Sequence, residues 1–131
     1  MKPHQMADLL NLISSTDGRN LTQQMPVAWM EIIGDLDFED SKAAVVEHFQ
    51  SSTEWLMPAH VRAGVKRIRE KRIVAAGPVD PSPVDSGDDY LRVRRSMLDA
   101  AASGRVTAEQ FRAYRKSGIP WDEWTGRELA A

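Results

Sequence analysis

Apolar residues in the first half of the chain recur at helical spacing. Met6, Leu9, Leu10 and Ile13 fall at i, i+3, i+4 and i+7, one face of a first helix that Asp17-Gly18 closes with a turn. Thr22 is placed to cap a second helix with an apolar side of Trp29, Ile32, Ile33 and Leu36; Pro26 lies near its start and Gly34 at its end. Asp37 is the expected N-cap of a third helix with Phe38, Val45 and Phe49 in its stripe. Pro58 suits the first turn of a fourth, whose buried row is Val61, Val65 and Ile68. Gly64 at the edge of that row costs helix propensity, and its expected use is to let a neighbouring helix approach closely. Sustained alternation of β-branched and polar residues, the strand pattern, is missing.

The pattern then breaks. Residues 77–89, Gly-Pro-Val-Asp-Pro-Ser-Pro-Val-Asp-Ser-Gly-Asp-Asp, hold three of the seven prolines and two of the eight glycines. They contain no aromatic and nothing that propagates a helix, so they read as a flexible linker. Beyond it, Tyr90, Leu91, Met97, Leu98 and Ala101 suggest a fifth helix closed near Gly104. Thr107-Ala108-Glu109-Gln110 is a capping-box pattern, opening a sixth helix through Phe111 and Tyr114 to Gly118. Residues 89–126 are too few to bury a core alone, so they are expected to need a partner or the first domain. The expectation is all-α: a four-helix N-terminal domain over 1–76, a linker over 77–89 and a helical tail over 90–131.

Composition narrows the chemistry. The 131 residues carry a net charge of -2, which excludes a uniformly basic DNA coater but not a local basic patch. With no cysteine there is no disulfide, thiolate metal site or cysteine nucleophile. His4, His48 and His60 do not cluster in sequence; His48 and His60 read as packing or surface residues, and Asp37, Glu39 and Asp40 as a helix N-terminus rather than a metal site. No phosphate-cradling Gly-rich loop is present, so P-loop chemistry is not expected. No enzyme, cofactor or metal is expected. No apolar run approaches the ~20 residues that span a bilayer, and Met1–Leu10 lacks a signal-peptide core, so a soluble, cytoplasmic protein is expected.

Charge is sorted along the first domain. Residues 22–56 set Lys42 against seven carboxylates, a net -6; residues 58–76 set six cations against Glu70, a net +5. Arg62, Lys66 and Arg69 share one flank of the fourth helix and are candidates for binding DNA, or an initiator protein, through phosphates or acidic side chains. The competing reading is a solvated helix whose long side chains neutralise the acidic helices before it. In the tail, Phe111, Tyr114, Trp121 and Trp124 place four of nine aromatics in fourteen residues. They are either a docking element for a partner or a hairpin packing back on residues 4–76.

One pattern resembles a known family. It runs Asp17-Gly18-Arg19, Trp29, Ile33-Gly34-Asp35-Leu36-Asp37-Phe38-Glu39-Asp40, Ala44-Val45, His48-Phe49, Glu54-Trp55-Leu56-Met57-Pro58-Ala59-His60-Val61 and the basic run ending Ile68-Arg69-Glu70-Lys71-Arg72. Over about residues 6–73 it resembles the N-terminal domain of small phage replication proteins that load and inhibit the replicative helicase, especially those from phages of actinobacteria. The resemblance implies a non-ATPase adaptor that binds a DnaB-type hexameric helicase, holds it inactive and delivers it to an origin, often through an origin-bound initiator. It also implies a helicase contact in the C-terminal region, which would fall to Phe111, Tyr114, Trp121 and Trp124, and an N-domain left for initiator or DNA. Trp29, Phe38, Phe49 and Trp55 are expected as buried anchors between helices. The alternatives are a small DNA-binding regulator acting through the fourth helix and an inhibitor of a host protein.

Overall fold

The structure, a computed structural model, describes residues 1–129. Every regular element among them is helical: α1 (Pro3–Asp17), α2 (Gln24–Ile33), α3 (Phe38–Ser51), α4 (Pro58–Ala76), a 3-10 turn at Pro83–Asp85, α5 (Tyr90–Ser103), α6 (Ala108–Ser117) and α7 (Trp121–Glu128). The chain divides into two compact units, Met1–Ile68 and the part from Arg69 onward, each with its own core.

In the first unit the α1 stripe is buried as its spacing predicts, with Met6, Leu9, Leu10 and Ile13 joined by Trp29, Ile33, Ala44, Val45, Leu56, Val61 and Val65. Gly18 ends α1 in the left-handed region (φ 75°), which a side-chain-bearing residue enters only at a cost. Asp37 caps α3 by accepting from the Asp40 N–H at 3.0 Å. Gly64 does what its position suggests: a Cβ there would stand 2.7 Å from the Ala44 Cβ, so α3 and α4 touch almost backbone to backbone. Thr22, by contrast, is no side-chain cap; α2 starts at Gln24, and Thr22 offers only its carbonyl, to Met25 N.

The second unit corrects the linker and tail. Its core joins Ala76, Val79, Val93, Met97, Ala100, Ala101, Val106, Phe111, Tyr114, Trp121 and Trp124. Residues 77–89 are therefore no free tether, since Val79 and Ser82 are buried and Pro78, Ser82 and Asp85 are tied by hydrogen bonds to Arg115, Tyr114 and Trp121. Tyr114 Oη accepts from the Ser82 N–H at 2.9 Å. Asp85 accepts from the Tyr114 hydroxyl and from the first N–H of α7, Trp121 N, at 3.0 Å. Prolines lower the entropy lost when such a strap is ordered, so a composition that looks disordered is compatible with a fixed path. The boundary also moves from residue 76 to 68, because Ile68 packs on the first core and Ile73 on the second. The strap and the end of α4 supply the apolar surface that residues 89–126 lack alone.

Candidate functional site

The four aromatics expected to dock a partner are instead internal. Phe111, Tyr114, Trp121 and Trp124 are 1%, 0%, 1% and 4% exposed. Trp121 stacks on Phe111 and on Trp124 with ring centroids 5.7 Å apart in both pairs, and Tyr114 meets it edge-on at 5.1 Å. The Trp121 indole N–H is satisfied by Ser96 Oγ at 3.0 Å. Burial and the neighbouring Asp85 carboxylate raise the Tyr114 pKa above its ordinary value, keeping the hydroxyl a donor. In the folded unit these side chains hold α6 and α7 together and offer no surface.

The basic trio is not one free patch either. Arg62 reaches the Asp35 carboxylate at 2.5 Å and the Ile32 carbonyl at 2.6 Å. Arg69 pairs with Asp99 at 3.2 Å. Lys66 is exposed. The hydrogen bond from Arg62 holds Asp35 below the usual carboxylate range and raises the guanidinium pKa in return. Two of the three cations thus face carboxylates of this chain: Arg62 neutralises the acidic stretch before α4, as weighed above, and Arg69 faces Asp99 of α5 after it.

What the first unit does expose is a groove that sequence spacing did not mark. Trp55, expected as a buried anchor, is 55% exposed, with Met57 at 49% and Ile32 at 50%. Phe38 and Phe49 are half-buried, and of the four expected anchors Trp29 alone is buried. Trp55, Met57, Ile32, Met25 and Trp29 line a concavity of about 630 Å³ together with Gly18 and Arg19.

The loop that carries Trp55 and Met57 lies between α3 and α4, and three polar side chains fix it. Arg19, its side chain 7% exposed, donates to the Leu56 carbonyl at 2.8 Å and to Asp17 at 2.6 Å. Its guanidinium lies 4.1 Å from the centre of the Trp55 ring and 5.9 Å from that of Trp29, so it is a cationic wedge between two indoles. The Arg19 hydrogen bonds keep Asp17 ionised below the usual carboxylate range. His48 Nε2 meets the Glu54 carbonyl at 2.7 Å, and His60 Nδ1 accepts from the Met57 N–H at 2.8 Å. Far apart in sequence, these two histidines have ring centroids 4.8 Å apart. They brace the loop from beneath, a packing role with a specific target.

An exposed indole held in one place on an arginine is a preorganised contact, because little side-chain entropy remains to be lost on binding. The groove is apolar and open. Among the described residues, no group of three or more histidines and carboxylates is placed to hold a metal ion, and no helix is long and apolar enough to cross a membrane. No protein-family model, curated protein or solved structure matches this chain.

Proposed function

We propose that the chain is a non-enzymatic adaptor of phage DNA replication, a loader of a DnaB-type hexameric helicase that works by binding energy alone and acts in the host cytoplasm. The observation that carries a binding role is the fixed, half-exposed Trp55–Met57 pair on the first unit. Part of the pattern that resembles helicase loaders, Asp17-Gly18-Arg19, Trp29 and Trp55-Leu56-Met57-Pro58, forms and braces this groove, while Ile33, Ala44, Val45 and Val61 of the same pattern lie in the core. This reading moves the partner contact from the tail aromatics to the first unit and leaves the second unit's aromatic stack as core. DNA binding by Arg62, Lys66 and Arg69 is the weaker alternative, because Arg62 and Arg69 are engaged by Asp35 and Asp99.

The test is co-elution of the full chain with a purified hexameric helicase, quantified by fluorescence anisotropy. Trp55→Ala with Met57→Ala is expected to weaken binding at least about thirtyfold, the loss of one central anchor of ~2 kcal/mol. Failure of the wild-type chain to bind any such helicase sinks the loader reading. Equal binding by the double variant sinks the groove as its site.

A further inference from the structure

The loop that presents Trp55 and Met57 ends on a bond that one proton can break. We propose that His60 makes the groove proton-sensitive: neutral His60 ties the Met57 end of the loop to α4, and protonation of its Nδ1 releases it. For its consequence the proposal rests on the groove being a binding surface, and it concerns how that surface is regulated.

Hydrogen-bond chemistry fixes the state of both imidazoles. A backbone N–H can only donate, so His60 Nδ1, 2.8 Å from Met57 N, carries no proton. The His60 N–H therefore sits on Nε2, 3.3 Å from the Glu54 carboxylate. A carbonyl can only accept, so His48 Nε2, 2.7 Å from Glu54 O, is a protonated nitrogen. The two bonds differ in consequence. His48 Nε2 keeps its N–H whether the ring is neutral or cationic, whereas His60 Nδ1 stops accepting once it is protonated.

The place of His60 in α4 sharpens the effect. It is the third residue of the helix, and its own N–H donates to Met57 O at 2.9 Å. The pair is a capping box with imidazole in place of the usual glutamate, a side chain that reaches back to the N–H of the residue before the helix. A glutamate would remain an acceptor and suit the positive end of the helix. An imidazolium loses the acceptor and meets like charge.

The groups that face His60 decide how much of the loop is released. The loop brings Glu54, and α3 brings His48, its ring centroid 4.8 Å away. A turn from His48, α3 carries Ala44, Val45 and Ser51, and a turn beyond His60, α4 carries Ala63 and Gly64, all uncharged; Arg67 follows on that face two turns on. Glu54 attracts the imidazolium, but its side chain is 75% exposed, so water screens the pair, and it holds the loop ahead of Trp55 rather than at Met57. Leu56 stays gripped by Arg19, whose partner Asp17 is held ionised below the usual carboxylate range. Protonation thus frees the Met57 N–H and the start of α4 at Pro58, and both residues line the groove.

Histidine changes charge between about pH 5 and 8, so the full chain is titrated over that range by NMR with isotope-labelled histidine and methionine. At the upper end His60 Nδ1 should give the shift of an unprotonated nitrogen. On acidification its protonation should coincide with movement of the Met57 methyl signal. Met57 amide protection, corrected for the intrinsic pH dependence of exchange, should fall at least about tenfold. His60→Asn sets an amide oxygen in the place of Nδ1 and cannot titrate, so its Met57 signals should hold the upper-end position throughout. His48→Gln keeps a donor for Glu54 O and should still respond. Helicase binding by the wild type, taken relative to His60→Asn at the same pH, should weaken at least about threefold across the range. A protonated Nδ1 at the upper end, Met57 signals that ignore the His60 titration, a His60→Asn chain that responds like the wild type, or an unchanged binding ratio overturns the proposal. The first two readings need no variant, so a misfolded substitution cannot shield it. The response is read on the free chain: if it is intact and no helicase binds, the partner is discarded and the switch stands. Helicase capture through Trp55 and Met57, with Met57 indifferent to pH, does the reverse.

Discussion

Trp121→Ala and Trp55→Ala should behave as opposites, although both remove an indole. Trp121 is 1% exposed, contacts three aromatic rings and donates to Ser96. Truncating such a residue leaves a cavity and costs about 3–5 kcal/mol. A unit of roughly 60 residues has only about 3–9 kcal/mol of stability at ~0.05–0.15 kcal/mol per residue. Trp121→Ala should therefore bring the second unit to the edge of unfolding. Trp55 is 55% exposed, and its specific contribution is the stacking of Arg19, about 0.5–1 kcal/mol at a partly exposed site. Trp55→Ala should leave both units folded. The assay is limited proteolysis of the full chain with fragments mapped by mass, alongside urea unfolding followed by far-ultraviolet circular dichroism. In Trp121→Ala, cleavage should spread through the region from Gly77 onward while residues 1–68 stay protected, since each unit has its own core. An unchanged urea midpoint and an intact strap in Trp121→Ala would refute the placement of the aromatic stack as core.

Asp17→Asn should lower stability at neutral pH, because it takes the carboxylate from a nearly buried arginine. The Asp17 pKa is depressed in the fold, so the wild-type advantage is present above about 3.8 and lost as pH falls through the depressed value; urea midpoints of the two proteins should draw together as the pH is lowered through that range. Tyr114→Phe should cost about 1–3 kcal/mol, because Ser82 N loses its acceptor and Asp85 a donor, and proteolysis within 77–89 should accelerate ahead of global unfolding. Gly64→Ala should destabilise by about 1–3 kcal/mol through overpacking against Ala44, and adding Ala44→Gly should recover most of that loss in thermal melts.

Helical period, caps and stops were readable because each depends on a few neighbouring residues. The α1 stripe, the Asp37 cap, the Thr107–Gln110 capping box and the left-handed Gly104 and Gly118 termini all fall where spacing puts them. What spacing missed depends on distant partners. Trp121 and Trp124 read as docking aromatics of the tail, yet Trp121-Asp122-Glu123-Trp124 opens α7, with Asp85 accepting from its first N–H across 36 positions. The proline segment has the composition of a tether, and its fixed seat shows in the burial of Val79 and the pairing of Ser82 and Asp85 with Tyr114 and Trp121.

The groove escaped notice for a related reason. Tryptophan next to leucine in a short loop reads as core, and for Leu56 that is right, since it is fully buried. Neighbours in a loop need not share an environment, and here the Leu56 carbonyl is the point at which Arg19 grips the chain. That grip sends Leu56 inward and leaves Trp55 and Met57 on either side of it half outside. The cost of exposing them falls on the free protein, through apolar surface left in water, and a partner that covered it would offset that cost. Arg19 does more than seat Leu56, since its guanidinium also lies over the Trp55 ring. Its stacking on an indole that stays open to solvent fits a side chain shaped for an encounter. Arg19→Lys separates the two roles: a lysine can still reach a carbonyl but cannot match the planar stack and the paired bonds to Asp17. The fold should survive that change with a modest loss, while the Trp55 indole becomes mobile, with lower steady-state anisotropy and weaker partner binding. Unchanged anisotropy and affinity in Arg19→Lys would mean that the stack does not hold Trp55 in place for binding.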